Sequence, residues 1–393
     1  MKVCFITCHY PPLSRTYRRY QFARYLADGG CDVEVVTHGN ISRALGSFVD
    51  DPDTLTSDVD LTVHRPRAFP WHLTGEVLYR LGVIACPHLN WCRPASRSAE
   101  RIASSEADAV VGIYPPLTNL IAAYHVSRRT GARLVLDYRD EYLGLARGVR
   151  RRLALKWQRR LLAAADLVSV ATSVIGRNFV ERDGLSEDRL QVTENGYFAD
   201  PGDVGEYVPD RSLRLAYAGA ISAIQGPEIL CQAMEIVRQS RPDLAQRVQA
   251  TIYGPDNAYR RAVLSPSLVA GVTYGGYLQA GEVSSRLLAS DACFLSLSSD
   301  DFSYAIPGKL YEYIAHGRPI LAALPDGAAR ELIEKQGFGL VAECGSAEDL
   351  ADKLAQMAEP EARLAFNRAL MARRGQYAAA PNFLALARRI GEL

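Results

Sequence analysis

The sequence predicts an α/β protein built from two doubly wound, Rossmann-like domains. Three observations carry that prediction. Short, continuous apolar runs alternate with amphipathic stretches along nearly the whole chain. The alternation lapses once, around Asp200–Arg211, into Asp, Gly and Pro residues that read as a linker. The length of 393 residues suits two domains. Strands that are apolar throughout, separated by helices, belong to parallel sheets covered on both faces.

In chain order, Val3–Thr7 reads as a buried strand, followed by a helix over Tyr17–Ala27 and a strand at Val33–Thr37. Ala109–Ile113, a helix over Asn119–Arg129, and Arg133–Asp137 continue the pattern. A basic helix leads to Leu167–Ala171, and Gln191–Thr193 ends the half. The second series opens at Leu213–Tyr217, with a helix over Pro227–Arg238. Strands follow at Val248–Tyr253, Val272–Tyr274, Ala292–Leu297 and Ile320–Ala323, then a helix over Ala347–Ala358. Phe383–Ile390 is a final short helical pattern. The expected division is residues 1–203, 204–375 and a C-terminal helix in 376–393 able to pack back on the first domain. Two such domains facing each other place a ligand crevice at the carboxyl ends of both sheets.

Composition excludes several classes. A net charge of +1 argues against a dedicated nucleic-acid binder. The eight cysteines lack a C-x-x-C pair and any zinc spacing, and Cys4, Cys31 and Cys293 sit in or beside apolar runs, where a buried reduced thiol is expected. The N-terminal apolar run is too short for a signal peptide, and no segment approaches the roughly 18 apolar residues that span a bilayer. A cytoplasmic protein is expected.

The most informative stretch is Ala305–Ile314, followed by His316-Gly317-Arg318-Pro319. Pro307-Gly308 breaks the chain and opens an amphipathic helix carrying Lys309 and Glu312. A helix start offers backbone N–H groups to an anion. Lys309 adds a point charge suited to phosphate, and Glu312, one turn on, shares its face. A lysine for phosphate beside a carboxylate for sugar hydroxyls is the chemistry of a nucleotide-sugar site. The plain alternative is a helix-start lysine paired with a solvated glutamate.

With that helix placed late in a second Rossmann-like domain, the chain resembles the family 4 glycosyltransferases of the GT-B fold over nearly its whole length. His9-Tyr10-Pro11-Pro12 with Arg18, Leu26 and Gly30–Thr37 look like the family's opening strand–loop–helix–strand. Asp137-Tyr138-Arg139-Asp140 is similar to a D-x-R-D element of members that build bacterial surface glycans. Glu194–Tyr197 resembles the strand end before the interdomain linker, Tyr217–Ala220 the entry to the second domain, and Pro307–Glu312 the donor helix. The departures are specific. Ser14-Arg15-Thr16 stands where paired glycines are usual. Uncharged Ala220 and Gln225 stand where basic residues hold the diphosphate, and Tyr304 replaces the first of two glutamates.

The resemblance implies a retaining transferase that moves a sugar from a nucleotide-diphosphate donor to a hydroxyl acceptor, small-molecule, glycan or lipid-linked, without metal or other cofactor. Glu312 then accepts ribose hydroxyls, and Lys309 with Arg15 supplies the charge that Ala220 and Gln225 lack. Arg139 and Asp140 follow the apolar strand Leu134–Leu136: Asp140 to orient or deprotonate the acceptor, Arg139 to bind phosphate. A structural Arg–Asp pair is the competing reading. Ser14 and Arg15 sit where a loop meets its helix, a phosphate cradle or a plain N-cap. His9 ends a strand on the crevice side and joins the catalytic candidates. Gly219, Gly254, Tyr277 and Leu278 end second-domain strands, where glycines admit close backbone approach and Tyr277 or Leu278 meets the base; a plain turn explains them nearly as well. Asp300 and Asp301 are expected to face the sugar or to form a solvated loop. Arg147–Arg160, with seven basic residues and no acidic one, is a surface for anionic lipid or a helix with solvated arginines. A nucleotide-sugar isomerase or hydrolase, and a non-catalytic binding subunit, are the other classes open to this sequence.

Overall fold

The computed structural model describes residues 1–11, 17–39, 61–68, 72–103, 107–141 and 148–393. Ser14, Arg15 and Arg147 lie outside them. The chain forms two compact units: Met1–Asn195 with Ala379–Leu393, and Gly196–Ala378.

The first unit holds a seven-stranded parallel sheet: β1 Lys2–Ile6, β2 Asp32–Val36, β3 Thr62–His64, β4 Ala109–Tyr114, β5 Arg133–Tyr138, β6 Leu167–Val170 and β7 Leu190–Val192. Their order is β3-β2-β1-β4-β5-β6-β7. Val3–Ile6 of β1 and all of β4 are buried, as continuous apolar strands between two helical layers must be. The order reverses between β1 and β4, so the connections on either side wind in opposite directions and leave a gap at the carboxyl ends.

The C-terminal helix Ala379–Gly391 belongs to this unit. Phe383 meets Phe22 and Tyr25 with ring centroids 5.4 and 5.7 Å apart, and Arg389 donates to the Leu190 carbonyl at 2.8 Å. Its spacing of apolar residues is what buries Phe383, Leu386, Ala387 and Ile390 together on one face.

The second unit holds a six-stranded parallel sheet: β8 Leu213–Ala218, β9 Val248–Tyr253, β10 Val272–Gly276, β11 Ala292–Ser296, β12 Ile320–Leu324 and β13 Gly339–Glu343. The order β10-β9-β8-β11-β12-β13 reverses between β8 and β11. Both units therefore share the α/β doubly wound plan. The expected strands appear within a residue or two of their places. Two edge strands, β3 and β13, were not expected: Thr62–His64 is only three residues long, and the apolar run Leu340–Ala342 is equally short between Gly339 and Glu343; neighbouring backbone supplies the pairing.

Candidate functional site

The helix Gly308–Ala315 begins after Pro307, whose extended backbone (φ −61°, ψ 137°) feeds the first turn without a side-chain cap. Leu310, Tyr311, Tyr313 and Ile314 are buried beneath it. The Tyr313 hydroxyl accepts from the Ala218 N–H at 3.2 Å and donates to the Phe294 carbonyl at 3.1 Å. One side chain thus ties the helix to β8 and β11, the two strands between which the order reverses.

That anchoring lays Lys309 across the end of β8. Its Nζ is fully buried, lies 3.6 Å from the centroid of the Tyr217 ring, and has no hydrogen-bond partner among the described residues. A Cβ at Gly219 (φ +150°) would come within 2.8 Å of the Lys309 Cε, so the glycine is needed both for its backbone and for the lysine stem. A Cβ at Gly254 would sit 2.4 Å from the Gly219 carbonyl oxygen, which makes the ends of β8 and β9 equally close. Burial pushes the Lys309 pKa well below its ordinary value. The face of the tyrosine ring offsets part of that cost.

Glu312 forms no ion pair with Lys309, which removes the plain reading of a lysine neutralised on its own helix. Burial alone pushes the Glu312 carboxyl up to about 7. Its carbonyl accepts from the His316 N–H at 3.1 Å and lies 2.7 Å from His316 Nδ1, and His316 Nε2 lies 2.8 Å from the Ser284 hydroxyl. The end of the helix is fixed while the carboxylate stays uncommitted.

The Tyr217 hydroxyl lies in hydrogen-bonding distance of the Ala220 carbonyl and 3.0 Å from that of Gln225. Asn257 adds a bond of 2.9 Å to the Ile221 carbonyl. The loop that carries no cation is therefore fixed from below by the same tyrosine that lies under the lysine. Beyond β11, β12 and β13, Ser298, Asp300, Asp301, Asp326, Arg330 and Glu343 line a cavity of about 640 Å³. Tyr304, by contrast, is buried. Tyr277 is 66% exposed and Leu278 half-buried after edge strand β10, two strands from β8.

In the first unit, His9, Pro115 and the Arg139-Asp140 pair follow β1, β4 and β5, neighbours in the sheet. Asn119 joins the first two loops, accepting from the Cys8 N–H at 2.9 Å and donating to the Ile113 carbonyl at 2.6 Å. His9 is buried, its ring centroid 6.0 Å from that of His88, and its pKa is held well below the ordinary value by burial first and by Arg19 next. Arg139 Nε meets Asp140 Oδ2 at 3.2 Å, both partly exposed. Arg19 is buried, and its Nη2 donates to the Pro115 carbonyl at 2.8 Å. Asp137 is fully buried; it accepts from Arg18 at 2.9 Å and from the Ser169 hydroxyl at 2.8 Å, while Arg18 also reaches Asn195 at 2.6 Å. That pair binds the first helix to β5, β6 and the end of the unit.

Two residues of these edges had no role in the sequence reading. Tyr217 was quoted only as part of a motif, and nothing local marks it as the platform for a lysine 92 positions later. Arg19 sits beside Arg18 in Tyr17-Arg18-Arg19-Tyr20, a helical run without an acid to pair either, and that imbalance is the signal that was there to find. Among the described residues, no three His, Cys, Asp or Glu side chains group to hold a metal ion, and no helix is long and apolar enough to cross a membrane. In the helix Gly148–Ala164, Ala154, Gln158, Leu161 and Leu162 are buried, and Arg160 lies over the rings of Tyr124 and Trp157.

A fold of two doubly wound units, with a lysine and a glutamate on a helix at the second switch point, is that of a GT-B glycosyltransferase. The family comparison agrees. Residues 16–196 match the glycosyl transferase 4-like domain and residues 212–359 match glycosyl transferases group 1. The chain belongs to the glycosyltransferase 4-like family.

Among curated proteins it is 25% identical over 226 residues to a D-inositol 3-phosphate glycosyltransferase of Pseudarthrobacter chlorophenolicus, a match covering 54% of this chain and 52% of that protein. The chain therefore spans about half the length of that relative. Among solved structures, Anabaena HepE in complex with UDP superposes with a TM-score of 0.71 at 17% identity, covering all of both chains. WaaG, a glycosyltransferase involved in lipopolysaccharide biosynthesis, gives 0.66 at 15% identity over 99% of each chain. These structural likenesses show the GT-B fold.

Proposed function

We propose that this protein is a retaining glycosyltransferase that moves a sugar from a nucleotide-diphosphate donor to a hydroxyl acceptor in glycan or glycoside assembly. The observation that carries the reading is the buried, unpartnered Lys309 beside the uncommitted Glu312 at the strand-order reversal of the second unit. A buried cation with no counter-charge is costly by itself, and a donor phosphate removes that cost. The UDP complexes of Anabaena HepE and the activity named for the Pseudarthrobacter relative support the same class.

In this reading the donor phosphate rests on Lys309 and on the backbone after Pro307 and Gly308, with Gly219 giving room to the Lys309 stem and Gly254 to the end of β8. Glu312 accepts the ribose hydroxyls. Tyr277 and Leu278 are assigned to the base, and Ser14 and Arg15 to the phosphate. The bond from the anomeric carbon to the phosphate oxygen breaks as the bond to the acceptor oxygen forms on the same face. The acceptor proton passes to the departing phosphate, whose negative charge Lys309 stabilises; such preorganised charge is the main catalytic term for this chemistry. Asp140 orients the acceptor hydroxyl, with Arg139 and His9 beside it. Side chains and helix N–H groups supply the positive charge, so the reaction is assigned no metal. The transferase is placed in the cytoplasm, with membrane contact through Arg147–Arg160 left to the nature of the acceptor.

The test is thermal stabilisation by UDP, dTDP, GDP, ADP and CMP of the wild type and of Lys309→Ala and Glu312→Ala. A ligand at a hundredfold excess over its dissociation constant stabilises by about 2.7 kcal/mol. One nucleoside diphosphate should stabilise the wild type and neither variant. Equal stabilisation of all three proteins sinks the assignment, and product analysis then separates transfer from hydrolysis or isomerisation.

A further inference from the structure

We propose that His316 and Ser284 form a strut that sets the base preference of the donor nucleotide. Neither residue touches the nucleotide; both are positioning residues that hold two of its contacts at one separation. The inference rests on the reading above, which puts the ribose on Glu312 and the base at Tyr277 and Leu278.

The first observation is that both ring nitrogens of His316 are committed. The residue is 4% exposed. Its Nδ1 lies 2.7 Å from the Glu312 carbonyl oxygen, which can only accept, so Nδ1 carries a proton. Burial lowers the pKa of the ring and keeps it neutral. Nε2 therefore has a free lone pair and accepts from the Ser284 hydroxyl at 2.8 Å. Capping the helix Gly308–Ala315 engages Nδ1 alone. The bond at Nε2 leaves that helix and reaches another.

The second observation is where it leads. Ser284 lies midway along the helix Ala280–Leu288, which follows β10 and the loop of Tyr277 and Leu278. Gln279 and Glu282 close a capping box at its start, the Gln279 N–H donating to Glu282 Oε2 at 2.9 Å. The loop is thereby fastened to the first turn of its helix. Arg318, 6% exposed, donates from Nη2 to the Leu288 carbonyl at 2.9 Å. Gly317, at φ +61°, makes the turn between the two side chains. The run His316-Gly317-Arg318 thus clamps the helix Ala280–Leu288 at its middle and at its end.

The third observation is the spacing. His316 follows Glu312 by four residues, one helical turn, and so stands on the same face. It joins the helix that carries the ribose acceptor to the helix that carries the base loop. A nucleoside has a nearly fixed reach from its ribose hydroxyls to the edge of its base. Two contacts held at one separation suit the base whose edge falls there and disfavour the others. With the strut cut, the loop is free to re-seat, and the advantage of the fitted base is lost.

UDP, dTDP, GDP and ADP are titrated calorimetrically against the full chain. The proteins are the wild type, Ser284→Ala, His316→Asn, His316→Gln and the double variant Ser284→Ala with His316→Asn. Asparagine keeps a donor near the place of Nδ1 but lacks the reach to Ser284, whereas glutamine carries an acceptor to the place of Nε2. The wild type should prefer one nucleotide. Ser284→Ala and His316→Asn should each weaken that ligand about tenfold, the upper scale of one neutral hydrogen bond, and change the other three by less than about twofold. The double variant should lose no more than either single one, and His316→Gln should keep the preference. Ser284→Ala removes only a half-buried hydroxyl, so it reads the strut with the fold intact. An unchanged preference in Ser284→Ala and His316→Asn overturns the inference. Uniform weakening of all four nucleotides also overturns it, because a loosened unit and not a strut would then be the cause. Additive losses in the double variant do the same. A wild type that binds all four equally removes the strut and leaves the donor reading standing, whereas a wild type that binds none is the failure of the donor reading itself.

Discussion

Arg18 at the carboxyl edge of the first unit and Lys309 at that of the second hold their positive charge in opposite ways. At the first, Arg18 is committed to Asp137 and Arg139 to Asp140. At the second, the Lys309 Nζ is buried with no carboxylate beside it among the described residues, over the face of Tyr217. A guanidinium bonded to a carboxylate in fixed geometry holds structure together. A lone ammonium over a ring holds nothing together and has its charge in reserve for a ligand. On the proposed donor reading, the same residue class serves as a fastener in one unit and as a receptor in the other.

The largest effect that can break this comparison is on stability. Asp137→Ala leaves Arg18 buried without its counter-charge and frees the Ser169 hydroxyl, and should cost about 3–5 kcal/mol. Denaturant unfolding followed in the first unit reads it. A cost below about 1 kcal/mol would show that the pair is not a fastener. Lys309→Met should do the reverse. It keeps the stem length and removes a cation that the folded state holds at a cost, so the ligand-free protein should unfold at a higher temperature while nucleotide affinity falls by about a hundredfold, the worth of a charge-assisted phosphate contact. Loss of stability in that variant would mean that Lys309 has a structural partner after all.

The next effect is a pH dependence, and its sign differs for binding and for folding. The folded Glu312 carboxyl is raised from 4.5 to about 7. A raised carboxyl contributes stability that is full below 4.5 and is lost as pH rises through about 7. The wild type should therefore lose stability across that interval relative to Glu312→Gln. Nucleotide affinity should move the other way, rising by about tenfold between pH 6 and pH 8 as the carboxylate that accepts ribose hydroxyls forms. Denaturant unfolding at several pH values checks the stability arm, and calorimetric titration of the nucleotide checks the affinity arm. Affinity that falls over this range would remove Glu312 from the ribose.

How much of this was legible beforehand depends on the range of the interaction. The apolar strands, the linker near 200–211 and the break at Pro307-Gly308 are local signals, and the structure places strands and the Gly308–Ala315 helix where they point. Lys309 and Glu312 were legible as a pair at helical spacing. That they do not bond each other was not legible, because it depends on Tyr313 reaching Ala218 and Phe294 and so turning the helix. Edge strands β3 and β13 draw their stability from a neighbour's backbone, and Arg19 depends on a carbonyl 96 residues away. Long-range pairing leaves little trace in a local pattern. Tyr304 was read for what it replaces, and its burial shows it instead as part of the packing below the helix start.

The smallest effect is the one that separates ring from hydroxyl at Tyr217. The ring lies under Lys309, and the hydroxyl faces the carbonyls of Ala220 and Gln225. Tyr217→Phe keeps the platform and releases the loop, and should cost about 1 kcal/mol of stability with little change in nucleotide affinity. Tyr217→Leu removes the platform as well. If the ring is what keeps the ammonium in place, Tyr217→Leu and Lys309→Met should be coupled in a double-mutant cycle by about 0.5–2 kcal/mol, whereas Tyr217→Phe and Lys309→Met should add. Additivity in both cycles would mean that Lys309 lies over the ring without leaning on it. The loop lacking basic residues would then be held for its own sake, and the difference between the two edges would reduce to the presence or absence of a carboxylate.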